Sequence, residues 1–327
     1  MKTQSKLISP PTCTNDLIAT LTLNPALDNT LVVRHLVVDD ANRWTSRRRD
    51  PGGKGIGVSR VIHRLGGKTI AYGFIGGHDG KAVEILLNRE KVKHDFTHIV
   101  NETRTNIIVT DTETKQQTRL DAPGPTVSPR ELEALKRKTS RIKPRPHFLV
   151  MCGSVPPGVP DDIYAQLIDR AKSAGVKTVL DSDGPWFRKG IESKPFFIKP
   201  NVHEASRLLD RDLVTEEDII DAVLELCNKG IEVVAISRGK EGLIASDGKS
   251  IMEAIPPPLT VRSSVGSGDA TVAGMVLSLC QGSSLAEACR LGSAAGAAVV
   301  LTPGTLLCRL KDVERLLPQI TIGEITR

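Results

Sequence analysis

Apolar positions along the chain follow two rhythms. Short contiguous runs occur at 17–23, 148–151, 176–180, 196–198 and 233–236, rich in β-branched or aromatic residues and bounded by Gly, Pro or charged residues. Such runs predict buried strands. Between them Val58, Val61, Ile62 and Leu65, and again Val272, Met275, Val276 and Leu279, recur at i, i+3, i+4, i+7 and predict helices with one apolar face. Strands alternating with helices predict an α/β fold, a doubly wound, mostly parallel sheet covered by helices on both faces. Two stretches, 31–50 and 99–123, alternate apolar and polar residues with no helix between strands. They predict half-exposed antiparallel strands that form a small sheet apart from the core, read here as a lid. Ser284 to Glu287 offers a capping box ahead of an Ala-rich helix towards Val300.

Composition narrows the class. The 327 residues correspond to one or two domains at about 150 residues per domain. No apolar run approaches the roughly 18 to 20 residues that cross a bilayer, and the leader lacks a signal-peptide core. A cytoplasmic protein without membrane contact is expected. Net charge is +6 and aromatics are 3%, too few for base-stacking platforms. The run Arg47–Arg49 reads as a solvated face or a loop near a phosphate site rather than a nucleic-acid surface. Six scattered cysteines with no CxxC pair predict reduced thiols.

Three glycine or polar clusters carry chemistry, while the P-loop, GxGxxG and GxSxG patterns are absent. In Val265-Gly266-Ser267-Gly268-Asp269 two glycines bring backbone N–H groups to a helix start, where an anion is favoured. Asp269 is either a helix cap or a general base beside that anion hole. Gly52-Gly53-Lys54-Gly55 builds an anion-binding turn or a hinge. Asn201 and Glu204, three apart after a strand, either cap a helix or hold water around a hard cation such as Mg²⁺. Three helix mouths, each placed after a parallel strand, converge on one cleft outside the carboxyl ends of the sheet. Together they ask for phosphoryl transfer.

At these residues the sequence resembles the PfkB, or ribokinase-like, carbohydrate kinase family, and within it the phosphohexose-kinase branch of 6-phosphofructokinase isozyme 2, 1-phosphofructokinase and tagatose-6-phosphate kinase. The resemblance runs from Thr20 to about Leu317. It rests on TLTLNPALD (20–28), GGKGIGVSRVIHRLGG (52–67), TRTN (103–106), CGSVPPGV (152–159), IKPNVHE (198–204), SRGKEG (237–242), VGSGDATVAG (265–274) and PGTLLC (303–308). It implies a ribokinase-like fold with a β-sheet lid. The N-terminal extension would be 1–15, the nucleotide-binding and catalytic domain 16–30, 51–98 and 124–327, and the lid 31–50 and 99–123. Asp269 would be the base, with Gly266, Ser267 and Gly268 as anion hole. Asp28, Gly52 and Gly53 would meet the sugar, and Arg43, Arg104 and Ser154, with charge from Lys54, its phosphate. Asn201 and Glu204 would order Mg²⁺ and ATP through water. Lys199, Ser237, Gly239 and Gly242 would line the nucleotide site.

Four positions depart from the family pattern. Gly57 replaces the usual Asn, Ser267 gives GSGD in place of GAGD, Arg238 replaces a smaller residue, and Thr302 replaces an Asn near a monovalent-cation loop. The last leaves a K⁺ requirement open. The resemblance implies an ATP-dependent kinase of a ketohexose monophosphate, fructose 6-phosphate first, with fructose 1-phosphate and tagatose 6-phosphate as alternatives. It also implies a homodimer joined through the lid. A non-catalytic sugar-phosphate sensor is the reading from another class; retention of Asp269, Asn201 and Glu204 argues against it.

Overall fold

In the computed structural model, residues 16–326 are described. The first strand, β1 (Leu17–Thr22), enters the core directly. Leu23 to Pro25 then carry the chain into β2 (Ala26–Val33), which pairs with β3 (Trp44–Gly52). There follow α1 (Lys54–Arg64), β4 (Lys68–Ile75), α2 (Gly77–Arg89) and β5 (Thr97–His98), before β6 (Arg104–Asp111) and β7 (Gln117–Leu120). The middle of the chain alternates α3 (Pro129–Thr139), β8 (Phe148–Cys152), α4 (Ile163–Ser173), β9 (Lys177–Asp181), α5 (Gly184–Glu192), β10 (Phe197–Ile198), α6 (Val202–Leu209), α7 (Glu216–Asn228) and β11 (Val233–Ser237). Strands β12 (Leu243–Ser246) and β13 (Ile251–Ile255) precede α8 (Ser267–Cys280), α9 (Leu285–Val300), α10 (Leu310–Leu316) and β14 (Thr321–Glu324).

The large sheet has ten strands in the order β14-β13-β12-β11-β10-β9-β8-β1-β4-β5. From β11 to β5 all pairs are parallel; β12, β13 and β14 add antiparallel pairs at one edge. The central strands β1, β8, β9, β10 and β11 are buried on both faces, as their largely apolar runs require, whereas β13 and β14 at the edge are partly exposed. One apolar cluster packs α3, α4, α5, α6 and α7 on one face; the other packs α1, α8, α9 and α10 on the opposite face. The helices expected at α1 and α8 and the capping box at Ser284 and Glu287 are present, but α8 is buried all round from Ala270 to Ser278 rather than on one face, because it packs between the sheet and α9. The five cysteines among the described residues are free thiols, and Cys13 lies outside them. No helix among the described residues is long and apolar enough to cross a membrane.

The small sheet differs from its expectation in two ways. Its order is β3-β2-β6-β7, and its central pair, β2 and β6, is parallel rather than antiparallel. Connectivity permits this: the chain leaves the small sheet through α1, β4, α2 and β5 before returning, and a parallel neighbour needs a long connection of that kind. The sheet also begins at Ala26, so Asp28 stands on it, and residues 99–103 run outside its strands. Arg47, Arg48 and Arg49 lie on β3 and alternate in direction. Arg47 donates to Asn29 Oδ1 (3.1 Å), whereas Arg48 turns inward to Asp50 Oδ2 (2.7 Å). The basic run is thus a strand face and an internal ion pair.

A buried charged junction joins the two sheets. Arg60 on α1, 3% exposed, holds Glu90 through Nε (2.9 Å) and Nη2 (2.6 Å) and donates to the Pro51 carbonyl. Asp50 accepts from Thr305 (2.6 Å) as well as Arg48, which fixes β3 to the segment that follows α9. Replacing Arg60 with Ala leaves Glu90 without its main partner. Because Glu90 is partly exposed, the expected loss is about 2 kcal/mol, below that for a fully buried pair. A urea unfolding midpoint shifted to lower concentration checks this; an unchanged midpoint would show that the junction contributes nothing.

Candidate active site

A cleft of about 480 Å³ lies between the small sheet and the carboxyl ends of the large one, within the size range of small-ligand sites. It brings together Asp28, Gly52, Gly53, Lys54, Arg104, Ser154, Glu204, Gly266 and Asp269. These residues come from elements spread over most of the chain. The three helix mouths do converge here, but only α6 follows a parallel strand of the large sheet. Helix α1 comes off β3 of the small sheet, and α8 follows a long loop after the antiparallel β13.

At the start of α8 the cap position is Gly266, held at φ +84°, and Asp269 is the third helical residue. The cap reading of Asp269 therefore fails. Among the described residues the N–H groups of Gly266, Gly268 and Asp269 have no hydrogen-bond partner, whereas that of Ser267 donates to Ser264 O (3.2 Å). The anion hole is thus narrower than the sequence implied: Ser267 closes its own turn through both N–H and Oγ. Burial pushes the Asp269 carboxyl up to about 7, a rise opposed by Lys54 and Lys199 and reinforced by Asp181 and Asp28.

Lys54 departs from its expected place on the substrate phosphate. Its ammonium faces Asp181 Oδ1 (3.4 Å) and Glu204 Oε1 (3.8 Å). Asp181 first, then Glu204 and Asp269, hold it firmly protonated. Asp181, 2% exposed at the end of β9, was missed in the sequence because a lone aspartate after an apolar run carries no motif. Asn201 and Glu204 form a reciprocal capping box on α6: Asn201 Oδ1 accepts from the Glu204 N–H, and Glu204 Oε2 from the Asn201 N–H, both at 2.9 Å. Only Glu204 Oε1 faces the cleft cation. No group of three or more His, Cys, Asp or Glu among the described residues could hold a metal ion directly. The residues fit a divalent cation carried on nucleotide phosphates and reached by Glu204 through water.

Asp28 accepts from Asn106 Nδ2 (2.9 Å), its register partner across β2 and β6, and burial raises its carboxyl above the usual range. Asn106 Oδ1 in turn accepts from the Ala122 N–H. Arg104, two residues before Asn106 on β6, donates to the carbonyls of Ala122 (2.6 Å) and Asn24 (2.9 Å), while its buried Nε is unpartnered. Asn24 Nδ2 donates to Ser154 Oγ (3.1 Å) and to the Pro123 carbonyl. Arg119 on β7 and Asp121 line the same end. Asn24, Asn106 and Arg119 were not singled out from sequence, although the i, i+2 spacing of Arg104 and Asn106 on a strand carries the signal.

Some expected residues lie elsewhere. Arg43 is exposed, ahead of β3, and outside the cleft lining; a strand-end loop on the rim does not aim its side chain inward. Ser237, Gly239 and Gly242 are likewise absent from the lining. Ser237 ends β11 and bridges to Asn201, Gly239 borders open space, and a Cβ on Gly242 would strike the Ala254 carbonyl. Lys199 is buried beside Gly268. Arg238 is consumed by Glu216 (2.8 Å) and Glu253. The Thr302 hydroxyl bridges the carbonyls of Val299 and Leu306.

Residues 21–312 match the PfkB family of carbohydrate kinases. The chain is 34% identical over 310 residues to a 1-phosphofructokinase of Borreliella burgdorferi, covering 94% of this chain and 99% of that one. It is 36% identical over 299 residues to ATP-dependent 6-phosphofructokinase isozyme 2 of Mycobacterium tuberculosis, covering 91% and 88%. Among solved structures, phosphofructokinase-2 of Escherichia coli in complex with potassium superimposes with a TM-score of 0.89 at 33% identity, covering 92% of this chain and 98% of that one. With a match over most of its length, and with the cleft described above, the chain belongs to the PfkB family of carbohydrate kinases.

Proposed function

We propose that the protein transfers the terminal phosphoryl group of ATP to a hydroxyl of a ketohexose monophosphate, with fructose 6-phosphate giving fructose 1,6-bisphosphate. The observation that carries this reading is the division of the cleft into an end lined by Arg104 and Arg119 and an end with Lys54 and the start of α8, with Asp28 and Asp269 also in its lining. Arg104, Arg119 and Ser154 form one end, suited to a phosphate already on the sugar. Lys54, the start of α8 and Glu204 form the other, suited to the phosphate in transfer. Asp28 would orient the sugar hydroxyls, with Gly52 and Gly53 letting the ring approach the backbone. The relatives bear the names of both 6- and 1-phosphofructokinases, and fructose 1-phosphate is the second substrate the same arrangement accommodates.

In this mechanism Asp269 accepts the proton of the attacking hydroxyl as its oxygen bonds to phosphorus and the bond from phosphorus to ADP breaks. The free N–H groups at Gly266 and Gly268 hold charge on the transferring group. Lys54 keeps Asp181, Glu204 and Asp269 from repelling one another and faces incoming phosphate oxygens. Mg²⁺ bound with ATP would neutralise the phosphates, with Glu204, steadied by Asn201, as its nearest carboxylate. Lys199, Ser237, Gly239 and Gly242 remain the proposed nucleotide-side residues. Potassium belongs to the proposal on the strength of the Escherichia coli neighbour. Pairing of two copies through the lid is supported by Val38, 89% exposed, and Trp44, 56% exposed, at its rim.

Asp269→Asn is expected to lower kcat by about 10²- to 10⁴-fold while MgATP affinity, read by calorimetry, stays within a few-fold. As a base Asp269 must be ionised, so the wild-type rate rises with pH through about 7 and then levels. The variant loses that limb; a variant with wild-type kcat and pH profile would remove Asp269 from the base role. Arg104→Ala is expected to raise KM for the sugar phosphate at least tenfold, by about 1.4 kcal/mol of lost binding, and to leave KM for ATP nearly unchanged. Equal rises for both substrates would contradict the phosphate-end assignment.

A further inference from the structure

Gly57 is the fourth residue of α1 and is fully buried there, although glycine is among the poorest residues for a helix interior. It lies at the cleft floor, directly beneath the carboxylate of Asp269. A Cβ at this position would sit 2.7 Å from Asp269 Oδ2 and 3.4 Å from both its Cγ and Cβ. A carbon–oxygen approach of 2.7 Å lies inside van der Waals contact, so one of the two must move. Gly57 cannot, because its N–H is bonded to Gly53 O (2.9 Å) and α1 is anchored by Val58, Val61 and Ile62 in the core. The Asp269 backbone cannot either, since Ala270, Val272 and Ala273 of α8 are buried against the same cluster. The carboxylate alone is free to turn away.

We propose that Gly57 is a positioning residue for phosphoryl transfer: the missing side chain forms the seat that holds the Asp269 carboxylate against α1. Gly52 stands in the same relation to Asp28, where any Cβ would overlap the carboxyl group. The carboxylates of Asp28 and Asp269 thus each rest against a glycine, which lets them approach the backbone closely. A seat of this kind matters because a displacement of about 1 Å at a reacting group costs on the order of a hundredfold in rate. The inference rests on the base role proposed for Asp269.

The test uses four full-length proteins: wild type, Gly57→Ala, Asp269→Ala and the double variant. Melting temperatures are taken without ligands, and kcat and both KM values with MgATP and fructose 6-phosphate. Alanine suits a helix better than glycine, so Gly57→Ala should raise the melting temperature once Asp269 has been cut back. In the wild-type background it should lower the melting temperature or leave it unimproved. Its kcat should fall at least tenfold with KM for MgATP within twofold, a split that general loosening of the fold would not give. If Gly57→Ala alone fails to fold, recovery of folding by adding Asp269→Ala supports the seat. An equal rise in melting temperature in both backgrounds overturns it. Unchanged kcat in Gly57→Ala, with Asp269→Ala inactive, overturns the positioning role while sparing the base. Wild-type turnover in Asp269→Ala overturns the base reading and the inference with it.

Discussion

One ammonium group organises the cleft. Lys54 stands at the first residue of α1 with Asp181 from β9, Glu204 from α6 and Asp269 from α8 around it. Three carboxylates converging around one ammonium repel one another, and burial, with Asp181 and Asp28 nearby, raises the proton affinity of Asp269. The lysine offsets that repulsion and leaves Asp269 near neutrality, ready to hold or release a proton. Each acid comes from a different part of the chain, so the ammonium also ties β9, α6 and α8 to α1. The free N–H groups at the start of α8 open beside this cluster, in which Lys54 offsets part of the acidic charge.

The small sheet is joined to this centre through polar contacts as well as through Leu27, which packs in an apolar cluster with Ile56 of α1, Ile75 of β4 and Val83 of α2. Asp28, Asp50 and Asn106 lie on the face turned towards the large sheet, and each is paired. Thr305 links Asp50 to the segment that also carries Leu307, and a Cβ on Gly266 would meet Leu307 at 3.0 Å. The position of β3 is thereby connected to the anion end of α8 by a short run of contacts. At the Arg104 end of the cleft, Asn24 and the loop 121–124 do comparable work. Arg104 spends both terminal nitrogens on carbonyls of that region, which makes it a rigid cation and not a mobile surface arginine.

Much of this was legible in the amino-acid pattern, for identifiable reasons. The strands β8 and β11 are near-continuous apolar runs, and α1 carries its apolar residues at helical spacing, so layer and order followed from the pattern. Gly53, Lys54, Gly266 and Asp269 stand out in the sequence as glycine beside charge at a helix start, and all four line the one cleft. What sequence did not show depends on tertiary approach. The parallel pairing of β2 with β6 follows from where the crossover returns, which alternation does not encode. The ion pair of Lys54 with Asp181 was not legible, because the two residues lie far apart along the chain. The Asn201 and Glu204 pair allowed either capping or cation binding, and the structure uses it as a cap with one oxygen to spare. Arg43 looked like a phosphate ligand by motif, yet the loop that carries it faces solvent.

The central claim is that one end of the cleft is built for a phosphate that the sugar already bears. The most direct measurement is ADP release with MgATP against fructose 6-phosphate, fructose 1-phosphate, tagatose 6-phosphate and unphosphorylated fructose, compared by kcat/KM. The account expects a phosphorylated ketohexose, fructose 6-phosphate first, to exceed fructose by at least a hundredfold, about 2.7 kcal/mol of differential transition-state binding. Fructose turned over as well as its phosphates would contradict it, since Arg104, Arg119 and Ser154 would then have no phosphate to hold.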